Sequence, residues 1–126
     1  MKVSGFDHIV ICVDDVDRTL DFYESVLGMT RRAERPGKWS LHFGVHKISV
    51  QAAETVPDIA RNTLPGTANF CLLTEAPIAD VVARLNAGNV KILDGPDERD
   101  GANGPILSVY FHDPDGNLVE VSNAMN

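Results

Sequence analysis

Four polar residues stand where strand-like stretches are otherwise apolar, and their types are those that hold a divalent cation. His8 lies in "FDHIVICV", Gln51 in "HKISVQAA", Asn69 in "ANFCLLT" and Glu120 in "HDPDGNLVEVSN". Strand alternation puts His8 on the face of Phe6, Val10 and Cys12 and leaves Ile9, Ile11 and Val13 on the other. In the last stretch Val119 and Val121 share one face and Glu120 takes the opposite one. An ionised carboxylate facing an apolar-walled cavity is costly unless something pairs with it. An imidazole, an amide oxygen and a carboxylate around one cation meet that need, and such mixed ligands suit zinc, nickel, manganese or iron. His8, Gln51 and Glu120 are therefore the candidate metal ligands, with positions left open for water or substrate. A lone strand histidine is commonly a satisfied half-core residue, and a strand glutamate commonly faces solvent. Spacing by itself keeps both readings open.

The elements that must position these residues read twice along the chain. "FDHIVICV" and "ANFCLLT" are strands, each followed by a punctuated helix. In the first half Asp14 or Asp15 caps a helix with Val16, Leu20, Tyr23 and Leu27 on one face, and Gly28 stops it. In the second half Pro77 suits a first helical turn, Ile78, Val81, Val82 and Leu85 form the stripe, and Gly88 ends it. Three strand-like stretches follow each helix: "GMTRRAE", "KWSLHFG" and "HKISVQAA", then "VKILDGP", "PILSVYFHD" and "GNLVEVSN". The expected fold is α+β, one domain over 1–126 made of paired βαβββ modules whose sheets curl around a cavity. Module 1 covers about 4–54, a linker about 55–66 and module 2 about 67–124.

Matching the copies pairs His8 with Asn69, Gln51 with Glu120, and Ser40-Leu41-His42-Phe43 with Ser108-Val109-Tyr110-Phe111. The stretch 53–67 reads as a linker with one helical turn. "DGPDERDGANGP" (94–105) reads as a mobile loop that serves as a lid or as a solvated hairpin connection.

Composition bounds the function. The chain has 126 residues, 44% hydrophobic and 23% charged, with a net charge of −7. That charge argues against nucleic acid or an anionic membrane as partner. No apolar run approaches the length of a membrane span, and the N-terminus lacks the pattern of a secretory signal. Cys12 and Cys71 read as small buried hydrophobes in a reducing cytosol, so a cytoplasmic location is expected.

"FDHIVICVDDVDRTLDFYESVLGM" and "VYFHDPDGNLVEVSN" strongly resemble the vicinal oxygen chelate superfamily, which includes glyoxalase I, fosfomycin-resistance enzymes, extradiol dioxygenases and bleomycin-resistance proteins. The "GPILSVYFHDPDGNLVEVSN" stretch looks most like the small glyoxalase domain-containing proteins. The resemblance covers nearly the whole chain and implies paired βαβββ modules, a homodimer and a divalent metal. It matches His8 to the first-strand histidine of the family and Glu120 to the last-strand glutamate. Gln51 and Asn69 stand where many members carry histidine or glutamate, which counts against a dioxygenase with a two-histidine, one-carboxylate face.

The implied activity is a glyoxalase-like, lactoylglutathione lyase-like metalloenzyme that chelates vicinal oxygens of a small substrate and stabilises an enediolate. Glu120 would be ligand and proton shuttle. Arg99 could clamp a substrate carboxylate, while Tyr110, His42 and Trp39 could line the pocket. A fosfomycin-type thiol or water transferase ranks below this, because no basic cluster for a phosphonate is evident. A non-catalytic binding protein of the bleomycin-resistance kind, acidic toward a cationic ligand, is the third reading.

Overall fold

The computed structural model describes residues 1–55 and 60–125. The chain divides into two compact units, Met1–Gly66 and Thr67–Asn126. Each unit is a four-stranded sheet with one helix, so the class is α+β.

In the N-terminal unit β1 (His8–Val13) leads to α1 (Val16–Leu27), then β2 (Thr30–Arg35), β3 (Lys38–Phe43) and β4 (His46–Ala52). The sheet order is β1-β4-β3-β2, with β1 parallel to β4 and the other neighbours antiparallel. Asp15 is the N-cap residue, its carboxylate accepting from the Arg18 amide at 3.0 Å. Gly28 closes the helix in the left-handed region (φ 68°), donating back to Glu24 and Tyr23 carbonyls. Leu20 and Tyr23 of α1 are fully buried, as are Val13 and Leu41, with Ile48 and Val50 nearly so. Each such side chain contributes about 1.5–3 kcal/mol of hydrophobic stabilisation. Asp15→Ala should lower the stability measured by urea unfolding by about 1 kcal/mol, because it leaves a helix N–H without a partner.

The C-terminal unit repeats the plan with β5 (Asn69–Leu73), α2 (Ile78–Ala87), β6 (Ile92–Gly101), β7 (Gly104–His112) and β8 (Leu118–Ala124). Its sheet order is β5-β8-β7-β6, with β5 parallel to β8. Leu85, Val109, Phe111, Val119 and Val121 form its core. The connection before β8 is built by side chains. Buried Asp113 accepts from the amides of Asp115 and Asn117 and from Asn117 Nδ2, at 2.8–3.0 Å. Asn117 Oδ1 in turn accepts from the Ala68 amide at 2.9 Å, which fastens the turn to the start of β5. Gly116 takes φ 88°, where a Cβ would be strained. The "DPDGN" motif thus sets the register of β8 against β5.

Two expectations are corrected here. Of the two readings of residues 94–105 the mobile lid is overturned and the hairpin connection is the nearer, because they form most of β6 and its turn into β7. β6 is an edge strand, and register shifts between Ile92, Asp94 and Asp97 absorb Gly95 and Pro96, which a central strand would reject. Cys71 is exposed rather than buried, while Cys12 is buried with its thiol 3.7 Å from the Thr63 carbonyl. Of the expected linker, Ala53–Thr55 makes a 3₁₀ turn, and residues 56–59 lie outside the described residues.

Candidate functional site

In the C-terminal unit alternation turns Phe70, Leu72, Val119, Val121, Val109 and Phe111 away from the face that carries the polar groups. Register then assembles that face: Cys71 pairs with Glu120, Glu120 with Tyr110, and Ser122 with Ser108. The Ser108 hydroxyl donates to Glu120 Oε2 at 2.5 Å, and Ser108 and Ser122 lie 2.7 Å apart. Cys71 Sγ is 3.2 Å from Ser122 Oγ. Ser108 spends its one proton on the carboxylate, so Ser122 shares its own between Ser108 at 2.7 Å and Glu120 Oε2 at 3.4 Å, and the Cys71 thiol extends the network through Ser122. The network ends on Glu120.

The other flank of Glu120 is ordered as well. Tyr110 hydrogen-bonds Glu120 and Arg99, and the Arg99 guanidinium sits 5.6 Å over the Tyr110 ring centre. Arg99 Nη2 is 2.8 Å from Asp94 Oδ2, and Nη1 donates to the Glu98 carbonyl at 2.9 Å. Burial raises the Tyr110 phenol, and donation to Glu120 raises it further. Partial burial likewise pushes the Cys71 thiol up, and the nearby Glu120 charge adds to this. Among the described residues Glu120 has no Lys, Arg or His within ion-pair distance. It is a half-buried carboxylate whose neighbours donate hydroxyl protons but whose charge is not matched by a contacting cation.

In the N-terminal unit His8, Val10, Lys47, Ser49, Gln51 and Lys38 surround a depression of about 310 Å³, which Glu34, Arg35, Trp39 and Val50 also border. His8 Nδ1 is 2.8 Å from Asp7 Oδ1, which leaves Nε2 as the free ring nitrogen. A carboxylate placed this way fixes the orientation of the imidazole and its tautomer. Gln51 is half-buried at the same depression.

His42 does not itself border this depression but adjoins it through a cluster with Ser40 and Glu34. Ser40 donates to Glu34 Oε1 at 2.6 Å, so His42 Nε2, 2.8 Å from Ser40 Oγ, carries the proton of that contact. The Ser40 hydrogen bond and Lys47, 2.9 Å away, lower the Glu34 pKa from 4.5 to about 2. A carboxylate lowered by folding stabilises the fold above its unfolded value, and that stabilisation fades as pH falls toward the folded value. Wild-type protein should therefore lose stability between pH 4.5 and about 2 through this group, and Glu34→Gln should lack that part of the acid limb in urea midpoints measured against pH.

The structure brings together His8, Gln51 and Trp39 around the N-terminal depression, and Glu120, Tyr110 and Arg99 in the C-terminal cluster. Among the described residues no three His, Cys, Asp or Glu side chains are gathered as a metal group. The equivalence of Gln51 and Glu120 is corrected by the ladders. His8 pairs with Lys47 and Asn69 with Leu118, so with those first strands matched, Ser49 holds the place of Glu120 and Gln51 that of Ser122. Ser40 then holds the place of Tyr110, because it pairs with Ser49 as Tyr110 pairs with Glu120. Cys71, Ser108 and Ser122 were missed in the sequence. Their signal was present: all three fall on the Glu120 face by alternation in strands that the sequence reveals.

The expectation that no basic cluster exists is also corrected. Arg35, Lys38 and Lys47 all line the N-terminal depression.

Comparison with known proteins gives this arrangement its context. Residues 5–121 match the glyoxalase/bleomycin resistance protein/dioxygenase superfamily. The chain is 42% identical over 124 residues to virulence protein STM3117 of Salmonella typhimurium, covering 97% of this chain and 85% of that protein. The crystal structure of that protein superposes with a TM-score of 0.95, at 39% identity over 99% of this chain and 100% of that one. Metallothiol transferase FosB of Lysinibacillus sphaericus is 31% identical over 124 residues, covering 95% of this chain and 82% of that protein. Lactoylglutathione lyase from Agrobacterium tumefaciens shares the fold, with a TM-score of 0.75 at 24% identity over 98% of this chain and 96% of that one. A family match across nearly the whole chain, together with a repeated βαβββ plan that carries a polar last-strand glutamate, leads to one conclusion: the chain belongs to the glyoxalase/bleomycin resistance protein/dioxygenase superfamily.

Proposed function

We propose that the protein is a glyoxalase-like metalloenzyme of the lactoylglutathione lyase type, acting on a small substrate with vicinal oxygens, in which Glu120 is the anionic metal ligand. The observation that carries this reading is the state of Glu120: a half-buried carboxylate held by Ser108 with no contacting cation among the described residues. Such a group fits a divalent ion, because hydroxyl donors orient it without neutralising it. His8, with Nδ1 at Asp7, is the proposed nitrogen donor, and Gln51 is kept as the proposed amide donor for its place at the same depression as His8, although Ser49 holds the position equivalent to Glu120. Zinc, nickel, manganese or iron fits these donors. When bound, the metal would polarise the vicinal oxygens and stabilise the negative charge that develops on them.

The chain's own residues supply the rest. Ser108 engages Oε2, so Oε1 is the oxygen that would hold the metal and, when released from it, exchange a proton with substrate. Tyr110 holds the carboxylate from the other flank and, with its pKa raised, keeps its own proton. Arg99 already serves Asp94, the Glu98 carbonyl and Tyr110, so its first role is to position Tyr110, and its remaining N–H groups are what a substrate carboxylate would meet. Trp39 borders the substrate side of the N-terminal depression, and His42 contributes through Ser40 and Glu34.

Superfamily members act on or bind small molecules and are often dimeric; a homodimer is proposed here, and sedimentation should give twice the 13.7 kDa chain mass. Among the described residues no helix is long and apolar enough to cross a membrane, and a cytoplasmic location is proposed.

Activity is tested by supplying each divalent metal to chelator-treated protein and following lactoylglutathione formation from the glutathione hemithioacetal of methylglyoxal. Turnover should require metal and disappear in Glu120→Gln. Full activity in that variant would remove Glu120 from the mechanism. A second reading, thiol or water addition to an epoxide, draws on the 31% identity with FosB and on the cations at the N-terminal depression. Ring-opening of fosfomycin with a low-molecular-weight thiol, without lactoylglutathione formation, would favour it instead.

A further inference from the structure

The charges of this chain are unevenly divided. Residues 1–66 hold eight of the eleven Lys and Arg and nine of the eighteen Asp and Glu, which leaves residues 67–126 with a net charge of −6. Within the N-terminal unit the cations are concentrated on the strands that border the depression. Arg35 on β2 and Lys38 on β3 are direct cross-strand partners on either side of the Pro36-Gly37 turn. Like charges placed opposite one another on a ladder are destabilising.

The third cation of the depression is handled differently. Lys47 is matched by Glu34 at 2.9 Å, and Glu34 is anchored by Ser40, so its charge is satisfied within the sheet. Among the described residues neither Arg35 nor Lys38 has an ion pair or a side-chain hydrogen bond, and both are exposed at the rim of about 310 Å³ of open volume. That volume is of the size that holds a small ligand. The remaining border offers His8, Ser49 and Gln51 as polar groups, the Glu34 carboxylate already engaged by Ser40 and Lys47, and Val10 and Trp39 as an apolar wall. An anion between Arg35 and Lys38 would turn a repulsive pair into a clamp, with the planar guanidinium giving direction and the ammonium giving charge.

We propose that this depression is a subsite for the anionic group, carboxylate or phosphonate-like, of a small molecule, clamped between Arg35 and Lys38. It names a substrate class for the proposed function and in that sense rests on it, although the clamp itself needs no metal. The acidic chain thereby selects an anionic ligand through a local basic site, opposite to what its net charge suggests.

The test uses the full chain treated with chelator, at constant ionic strength, titrated with inorganic phosphate in one arm and propionate in another while amide resonances are followed. Shifts centred on Val10, Lys38 and Ser49 are expected in at least one arm, and the arm with the tighter response identifies the anion class. The double variant R35Q/K38Q should weaken that binding about tenfold or more, consistent with loss of two charge-assisted contacts. Unchanged affinity in the double variant, or no shifts around the depression in either arm, overturns the subsite. Glu120→Gln separates the two readings. If it abolishes metal uptake while phosphate or propionate still binds, both stand. If the wild-type chain takes up no metal but the clamp binds, only the metalloenzyme reading falls.

Discussion

Glu120→Gln is expected to lower divalent metal affinity by at least about 100-fold while leaving the fold and its stability nearly unchanged. The substitution keeps shape and removes charge. A glutamine carbonyl still accepts from Ser108, whose hydroxyl lies 2.5 Å from Oε2 in the wild type, and the Ser122 and Tyr110 contacts can re-form around an amide. What is lost is the only negative charge among His8, Gln51 and Glu120, the three residues proposed as metal ligands. Equilibrium dialysis with zinc, nickel and manganese measures the affinity, and urea unfolding controls for folding. Equal metal affinity in wild type and variant would remove Glu120 from the ligand set. A large loss of stability with unchanged affinity would make it a structural residue of the Ser108–Ser122 network.

The largest expected effect on stability lies two strands away, on β6. Gly95→Ala should destabilise the chain by about 3 kcal/mol, because two penalties coincide. Gly95 has φ 91°, a conformation that side chains rarely adopt, and a Cβ there would collide with the Ser108 carbonyl oxygen. The contact is with backbone, so no rotamer change can relieve it. Ser108 is also the residue that donates to Glu120, so the damage should reach the site. Gly104→Ala is the matched control: its φ is +121°, but nothing lies within 4 Å of a Cβ placed there. That variant should lose only the conformational part, about 1 kcal/mol. Urea midpoints within about 0.5 kcal/mol of each other would contradict the close approach of β6 to β7.

The sequence made the local parts of this fold legible and concealed the parts set by register. Asp15 and Gly28 announce the ends of α1 because capping depends on residues next to one another in the chain. Faces of β1 and β8 follow from alternation, which is why Ile11 and Val121 could be assigned to the core and His8 and Glu120 to the other side. The strand β6 was hidden because "DGPDERDG" has the composition of a loop. An edge strand pairs on one side only, so glycine, proline and charge are tolerated there. Pairing Gln51 with Glu120 failed for a different reason: likeness of residue type says nothing about where a strand sits along its neighbour. Only the ladders show that Ser49 stands in the place of Glu120. The donor chain from Cys71 through Ser122 and Ser108 joins three strands, its first two members 51 positions apart in the sequence, and no local pattern encodes it.

The central claim is that Glu120 serves a divalent metal, and elemental analysis of the purified chain tests it most directly. The account predicts about one zinc, nickel, manganese or iron per chain, removed by chelator and restored on addition of the ion. Protein that carries none of these metals, and that takes up none when they are supplied, would contradict it.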